Sequence, residues 1–293
     1  MRFVSFEKNG QLAVGSLVPD ENCVINLTGV GLPDDLNTIV EMGQKGLDMA
    51  ETAAQTGERI ALSEIKILAP FPRPRRNIIC VGKNYFEHSK EFEKSGFDST
   101  SGGQTIPDAP VIFTKAPTSV TGPGESIPAS SDPSHSTDYE GELAVVIGRT
   151  GRNVSKDEAF NYVCGYTVIN DVTARNLQQL HKQWFLGKSL DGFCPMGPCF
   201  VTSDEIEDVT SLNVSTWVNG ELRQKACVKD LIFNIPTIIE TVSSLLTIIP
   251  GDIIATGTPA GVGIGFTPPK FLQPGDKVVI EIDHIGVLEN TVT

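Results

Sequence analysis

The sequence predicts a β-rich mixed α+β fold, a roll or barrel rather than a doubly wound sheet, and three observations predict it. Short runs of β-branched and aromatic residues, bounded by turn residues, recur along all 293 residues. Long amphipathic helices are few. Strands and helices do not alternate as regular βαβ units.

The composition is that of a soluble globular chain, with enough length for one large domain or two unequal ones. A formal charge of −13 argues against nucleic acid or an anionic membrane as partner. An anionic small substrate stays compatible with it if a metal or local cations supply positive charge. Met1 to Phe6 carries no long apolar run, and no stretch is long enough to span a membrane, so a cytoplasmic location is expected. Cys23, Cys80, Cys164, Cys194, Cys199 and Cys227 are scattered without a C-x-x-C pair. They read as free thiols rather than a disulfide framework or a zinc site.

Residues 1–30 alternate β-like runs with turns, as at Leu12-Ala13-Val14-Gly15 and Cys23-Val24-Ile25. The apolar spacing of Leu36, Ile39, Val40, Leu47 and Met49 predicts one helix from Asp34 to about Gln55. Pro70-Phe71-Pro72-Arg73-Pro74 interrupts regular structure, because proline fixes φ and removes a donor. A boundary there gives a small N-terminal α/β domain, 1–70, and a main domain, 71–293.

In the main domain Asn77 to Gly82 is a short buried strand running into a helix-compatible segment, Lys83 to Glu91. Asp98 to Asp108, rich in Ser, Thr and Gly, reads as a loop. Val111 to Lys115 is the next strand. Ser155-x-x-Glu158 is a capping-box pattern that would open a short helix. Tyr162 to Asn170 is strand-like, Asn219-Gly220 marks a hairpin turn, and Pro236 lies early in an apolar helix reaching Leu246. Ile253 to Thr256 makes a strand that leads to the loop at 257–263. Strands around Val278–Ile282 and Gly286–Val292 close the chain.

The chemistry concentrates on Asp138-Tyr139-Glu140-Gly141-Glu142, which opens the apolar run Leu143 to Ile147. On one continuous strand, Asp138, Glu140 and Glu142 would share a face. Three crowded carboxylates repel, and a hard divalent cation would relieve them; the competing reading is a solvated acidic edge. Asp171 is either a helix cap or a further oxygen ligand. Gly187-Lys188-Ser189 is no phosphate loop, since Lys182 stands where a glycine is required. Lys188 is then a surface lysine or, given its apolar flanks, a site lysine near carboxylates. His88 and Glu91 share a helix face, as an exposed pair or as an acid/base dyad. The loop at 257–263 is a plain turn or a set of donors facing an anion.

Taken together, these segments resemble the fumarylacetoacetate hydrolase family. The matching residues are Gly82-Lys83-Asn84-Tyr85-x-x-His88-x-x-Glu91, Phe113-x-Lys115, Asp138 to Gly148, and Asn170-Asp171-Val172-Thr173-Ala174-Arg175-x-x-Gln178. Gly187-Lys188-Ser189-x-Asp191 and Thr256-Gly257-Thr258-Pro259-x-Gly261-Val262-Gly263 complete the set, in order, across 70–293. The resemblance implies a mixed β-roll, a homodimer, and Mg2+ or Mn2+ held by Glu140, Glu142 and Asp171, with Asp138 in support. It implies that Lys188 sits beside the metal and the substrate's 2-oxo group, and that His88 and Glu91 are the acid/base pair. Lys83, Tyr85, Lys115, Gln178 and Thr258 become candidate substrate contacts. Lys83 stands where many members carry arginine, which forgoes bidentate carboxylate recognition. The implied reaction is C–C cleavage of a small 2-oxo acid or diacid through an enolate. The resemblance points first to oxaloacetate decarboxylation. Acylpyruvate or fumarylpyruvate hydrolysis and 2-oxo acid tautomerisation or isomerisation are the alternative activities, and a metabolite-binding regulatory module is the non-enzyme one.

Overall fold

The structure, a computed structural model, describes residues 1–96 and 106–293. Residues 98–105 of the loop expected at 98–108 lie outside the described residues. Strands dominate and helices are short, as the β-rich α+β expectation requires.

Two sheets pack face to face. The larger, of 12 strands, has the acidic strand Gly141–Ile147 near its middle, between Val163–Asn170 and Ile253–Ala255, both antiparallel to it. Beyond Ile253–Ala255 come Ile78–Gly82, paired parallel, and Val111–Lys115. On the other side Val163–Asn170 pairs with Cys194–Thr202, which pairs with the N-terminal strand Arg2–Lys8 through Phe3↔Phe200. The first strands of the chain therefore extend the main sheet. The second sheet, of 5 strands, runs Glu221–Cys227, Asn213–Val218, Lys277–Ile282, Gly286–Val292 and Ser126–Ile127.

Alternation along Gly141–Ile147 shows why its sequence is apolar without a break. Leu143, Val145 and Ile147 join the core between the sheets with Val214, Ile280 and Leu288. Ala144 and Val146 join a second core, which also holds Leu36, Ile39, Val40 and Ala50. A strand covered on both faces has no polar side to show. Each buried Leu, Val or Ile of this strand contributes roughly 1.5–3 kcal/mol through burial.

Three local expectations change. The helix expected over 34–55 is two helices, Leu36–Glu41 and Gln44–Ala54. They are separated at Gly43, whose φ of +60° lies outside the helical region and is open to glycine at little cost. The capping box at Ser155 does not form: its hydroxyl donates to the Glu158 carboxylate at 3.1 Å, and the segment Lys156–Tyr162 is a 3-10 helix. The acidic strand is interrupted at Tyr139 and Glu140, so Thr137–Asp138 pairs separately with Thr173–Ala174. The hairpin turn keeps its expected form, with Asn219 and Gly220 both at positive φ. The helix Ile235–Leu245 starts at an Asn234 cap that accepts from the Thr237 amide, with Pro236 in its first turn. All six cysteines are free thiols. No helix among the described residues is long and apolar enough to cross a membrane.

Candidate active site

Strand ends build the site. Glu140 and Glu142 stand where Gly141–Ile147 begins, and Asp171 follows the end of the neighbouring strand Val163–Asn170. The two strands are antiparallel, so the start of one lies beside the end of the other, with Gly141 opposite Asn170. The Asp171 amide donates to the Glu140 carbonyl at 2.8 Å, and the Asn170 side chain accepts from the Glu140 amide. One oxygen of each of Glu140, Glu142 and Asp171 lies within 4.8 Å of the others, and all three residues are buried. Asp171 does not cap the following helix, Arg175–Leu180, whose N-cap is Ala174.

Asp138 does not face this cluster, contrary to the continuous-strand expectation. The strand break turns it away, and its carboxylate accepts the amides of Gly263 at 2.6 Å and Ile264 at 3.1 Å. It also accepts from Nε of Arg175 at 2.9 Å. The Arg175 Nη2 lies 2.7 Å from Glu140.

Three cations and four carboxylates share this buried volume. Lys188 Nζ lies 2.7 Å from Glu140 Oε2 and 2.8 Å from Asp171 Oδ2, so it is a site lysine and not a surface one. Lys115 Nζ lies 2.8 Å from Asp171 Oδ1 and donates to the Val172 carbonyl. Burial works against the Lys188 ammonium, but Asp171 and Glu140 outweigh it and raise its pKa. Burial would likewise raise Glu140, yet Lys188, Arg175 and His88 hold it down at about 2. Glu142 goes the other way: burial, Asp171 and Glu140 push it well up, against the Lys188 charge and an amide bond from Gly257 at 2.8 Å.

The donor set is therefore all carboxylate oxygen, crowded, buried, and carrying its least compensated charge at Glu142. These residues fit a hard divalent cation, for which oxygen ligands are preferred.

A narrow pocket opens onto the cluster. Glu140, Glu142, Lys188, Arg175, Gln178, Thr258, Lys83 and His88 supply its polar lining. Lys83 reaches it from a backbone at φ +56°, which precedes the helix Phe86–Lys94. On that helix His88 Nδ1 lies 3.3 Å from Glu91 Oε2, and both Glu91 oxygens accept the Gly261 amide at 3.1 Å. Both residues are shielded, so the exposed-pair reading does not describe them.

Two candidate contacts lie elsewhere. Lys115 is fully buried behind Asp171. Tyr85 belongs to the core between the sheets, its hydroxyl buried without a hydrogen-bond partner. Thr258 does line the pocket, but its hydroxyl donates to the Gly141 carbonyl and accepts from Gln224 Nε2.

Sequence reasoning gave no role to Arg175, Gln224 or Trp184. Arg175 had a signal, a basic residue four positions after an acidic strand end. Gln224 had none, since it arrives from the other sheet to fix Thr258, the Pro259 carbonyl and the Gly141 amide.

The chain is similar to known proteins over its full length. The family model described as "Fumarylacetoacetate (FAA) hydrolase C-terminal" matches residues 77–293. The oxaloacetate tautomerase YisK of Bacillus subtilis is 44% identical, with 100% of each chain covered. Among solved structures, a fumarylacetoacetate hydrolase from Exiguobacterium antarcticum superposes with a TM-score of 0.84 at 42% identity, covering 100% of this chain and 99% of that one. A maleylpyruvate hydrolase from Sphingobium sp. SYK-6, in complex with manganese(II) and pyruvate, gives 0.80 at 30% identity with the same coverage.

Proposed function

Because the chain belongs to the fumarylacetoacetate hydrolase family, we propose that it catalyses the keto–enol interconversion of a small 2-oxo diacid, oxaloacetate being the best candidate. The observation that carries this reading is the placement of Lys188. Its ammonium lies between Glu140 and Asp171 on the wall of a pocket that His88 also lines. Glu140, Glu142 and Asp171 would hold Mg2+ or Mn2+, which when bound polarises a 2-oxo acid's carbonyl and carboxylate oxygens. Lys188 then presents a fixed positive charge where negative charge develops on the 2-oxo oxygen as C3 loses a proton. His88, with Nδ1 directed at Glu91, keeps Nε2 for taking up or returning that proton. Arg175 and Gln178 fill the adjoining wall, and Lys83 provides a further cation for a second carboxylate.

The sequence pointed first to decarboxylation, which shares the enolate and differs in the bond broken at C3, to carbon instead of hydrogen. The activity in the name of the 44% identical relative is tautomerisation, and the proposal follows it. Hydrolysis of acylpyruvates is the second reading. It is favoured by the His88–Glu91 pair, which could activate water, and by the activity named for the manganese- and pyruvate-bound relative.

One experiment separates these reactions. Oxaloacetate, acetylpyruvate and fumarylpyruvate are incubated with the protein and Mn2+, and enol absorbance, released pyruvate and released acid are followed together. Rapid loss of the oxaloacetate enol signal without pyruvate supports tautomerisation. Pyruvate from oxaloacetate moves the assignment to decarboxylation, and pyruvate from the dioxo acids moves it to hydrolysis.

A further inference from the structure

The pocket has a second, apolar wall of Val81, Gly82, Phe92, Phe113 and Trp184, to which no role has been given. Its order is informative. Lys188 Nζ lies 4.9 Å from the Phe113 ring centre. Phe113 meets the Trp184 indole edge to face at 5.1 Å, Trp184 meets Phe92 at 5.8 Å, and Phe92 lies 6.2 Å from the His88 ring. The wall thus runs from the lysine to the histidine with Trp184 at its middle.

The indole is also held in place by close packing. A Cβ on Gly82 would come within 2.5 Å of Trp184 Cζ3, so the ring already rests against the strand Ile78–Gly82. Phe92, Val262 and Ile264 complete a small apolar cluster around it. Its Nε1–H is buried with no hydrogen-bond partner, so exchanging the indole for a hydrocarbon breaks no hydrogen bond of the fold.

We propose that Trp184 is the specificity-determining residue of this site, limiting the substituent beyond C3 of a 2-oxo acid to about the size of a carboxylate. The inference rests on the 2-oxo acid reading above. A substrate with its 2-oxo group at Lys188 and its C3 side toward His88 crosses the indole, and closely packed neighbours leave the ring no room to retreat. Space lost or gained there acts on the substituent and leaves the carboxylate cluster untouched.

The test uses two ligands with the same head group, pyruvate and 2-oxo-4-phenylbutyrate, titrated calorimetrically into the Mn2+-loaded protein. Neither carries a C4 carbonyl to be hydrolysed. The wild type is expected to prefer pyruvate. In Trp184→Leu that preference should fall by ~10-fold or more, the range that one or two methylenes of pocket space command. Gly82→Ala adds a methyl to the pocket wall against the indole and should raise the preference, which keeps the test decisive if the leucine variant folds poorly. Preferences unchanged in a folded Trp184→Leu or in Gly82→Ala overturn the assignment to Trp184 alone. Failure of the wild type to bind either ligand overturns the 2-oxo acid reading with it.

Discussion

Replacing Lys188 with methionine tests the electrostatic core of the site, because it should move two measurements in different directions. Methionine keeps much of the stem's volume and removes the ammonium that lies 2.7 Å from Glu140 and 2.8 Å from Asp171. The buried group of Asp138, Glu140, Glu142 and Asp171 then keeps its ion pairs with Lys115 and Arg175 but has one more uncompensated negative charge. Breaking a buried pair in this way costs about 3–5 kcal/mol, so the melting temperature should fall when no divalent ion is added. Mn2+ brings its own positive charge to the same carboxylates, so its affinity should hold or increase and recover much of that stability. Turnover should not recover. Removing one preorganised charge from a developing oxyanion costs on the order of 10²–10³ in kcat. The assays are enol–keto kinetics on oxaloacetate at saturating Mn2+, calorimetric Mn2+ titration, and melts with and without the ion. A variant that keeps more than about a tenth of wild-type kcat, or that loses Mn2+ binding together with activity, would refute the role given to Lys188.

Glu140→Ala and Asp171→Ala should each abolish calorimetrically detectable Mn2+ binding and turnover; full activity after exhaustive chelation of the wild type would contradict the metal assignment. His88→Ala should slow enolisation and any acylpyruvate hydrolysis by ~10²-fold or more, the usual worth of a positioned acid or base. It should leave Mn2+ affinity unchanged, since His88 is outside the carboxylate cluster. Asp132→Asn probes acid stability away from the metal. The buried Asp132 accepts from the Ser134 hydroxyl, from the backbone amides of Ser134 and Ser136, and from the Thr137 hydroxyl. Burial raises its pKa, but those donors outweigh burial and lower it below 3.8. A depressed carboxylate contributes stability above its unfolded pKa and loses it as pH falls through the folded value. Asp132→Asn should therefore cost about 2 kcal/mol in urea unfolding at pH 7. The gap to wild type should close as pH drops below 3.8. A gap that stays constant with pH would mean that charge is not what these donors recognise.

The carboxylates were legible because an apolar run fixes a strand's burial and a motif fixes which residues begin it. The strand break at Tyr139 and Glu140 was not, since both sides of it have strand-like sequence. It arises from distant partners: Gly263 and Ile264 draw Asp138 aside, and Arg175 holds it there. That break decides which acids become neighbours, and so Glu140 and Glu142 face Asp171 while Asp138 does not. The expected helix over 34–55 failed for the opposite reason. Its apolar spacing survives on both pieces, but Gly43 permits a turn that helical periodicity does not register. Lys115 and Tyr85 belong to matching motifs, yet a motif does not say which side of a strand or helix start faces the pocket. Trp184 entered only as an apolar flank of Lys188; it is packed as core, and only its neighbours show that the core there is also a pocket wall.

The loop from Gly257 to Gly265 explains why such a site can be rigid with so little helix. Its Gly257 amide fixes Glu142, and its Thr258 is tied to Gln224. Its Gly261 amide holds Glu91, its Gly261 carbonyl accepts from the Tyr139 hydroxyl, and its Gly263 and Ile264 amides hold Asp138. A Cβ on Gly265 would collide with Glu91 at 1.7 Å, so the helix bearing His88 rests directly on this loop. The carboxylate cluster and the His88–Glu91 pair are thus positioned by one continuous segment. Groups joined in one hydrogen-bonded network do not respond independently to substitution. Divergence between tautomerase, decarboxylase and hydrolase chemistry is then most easily reached through pocket side chains that this loop does not fix, of which Gln178, facing Arg175, is a polar example.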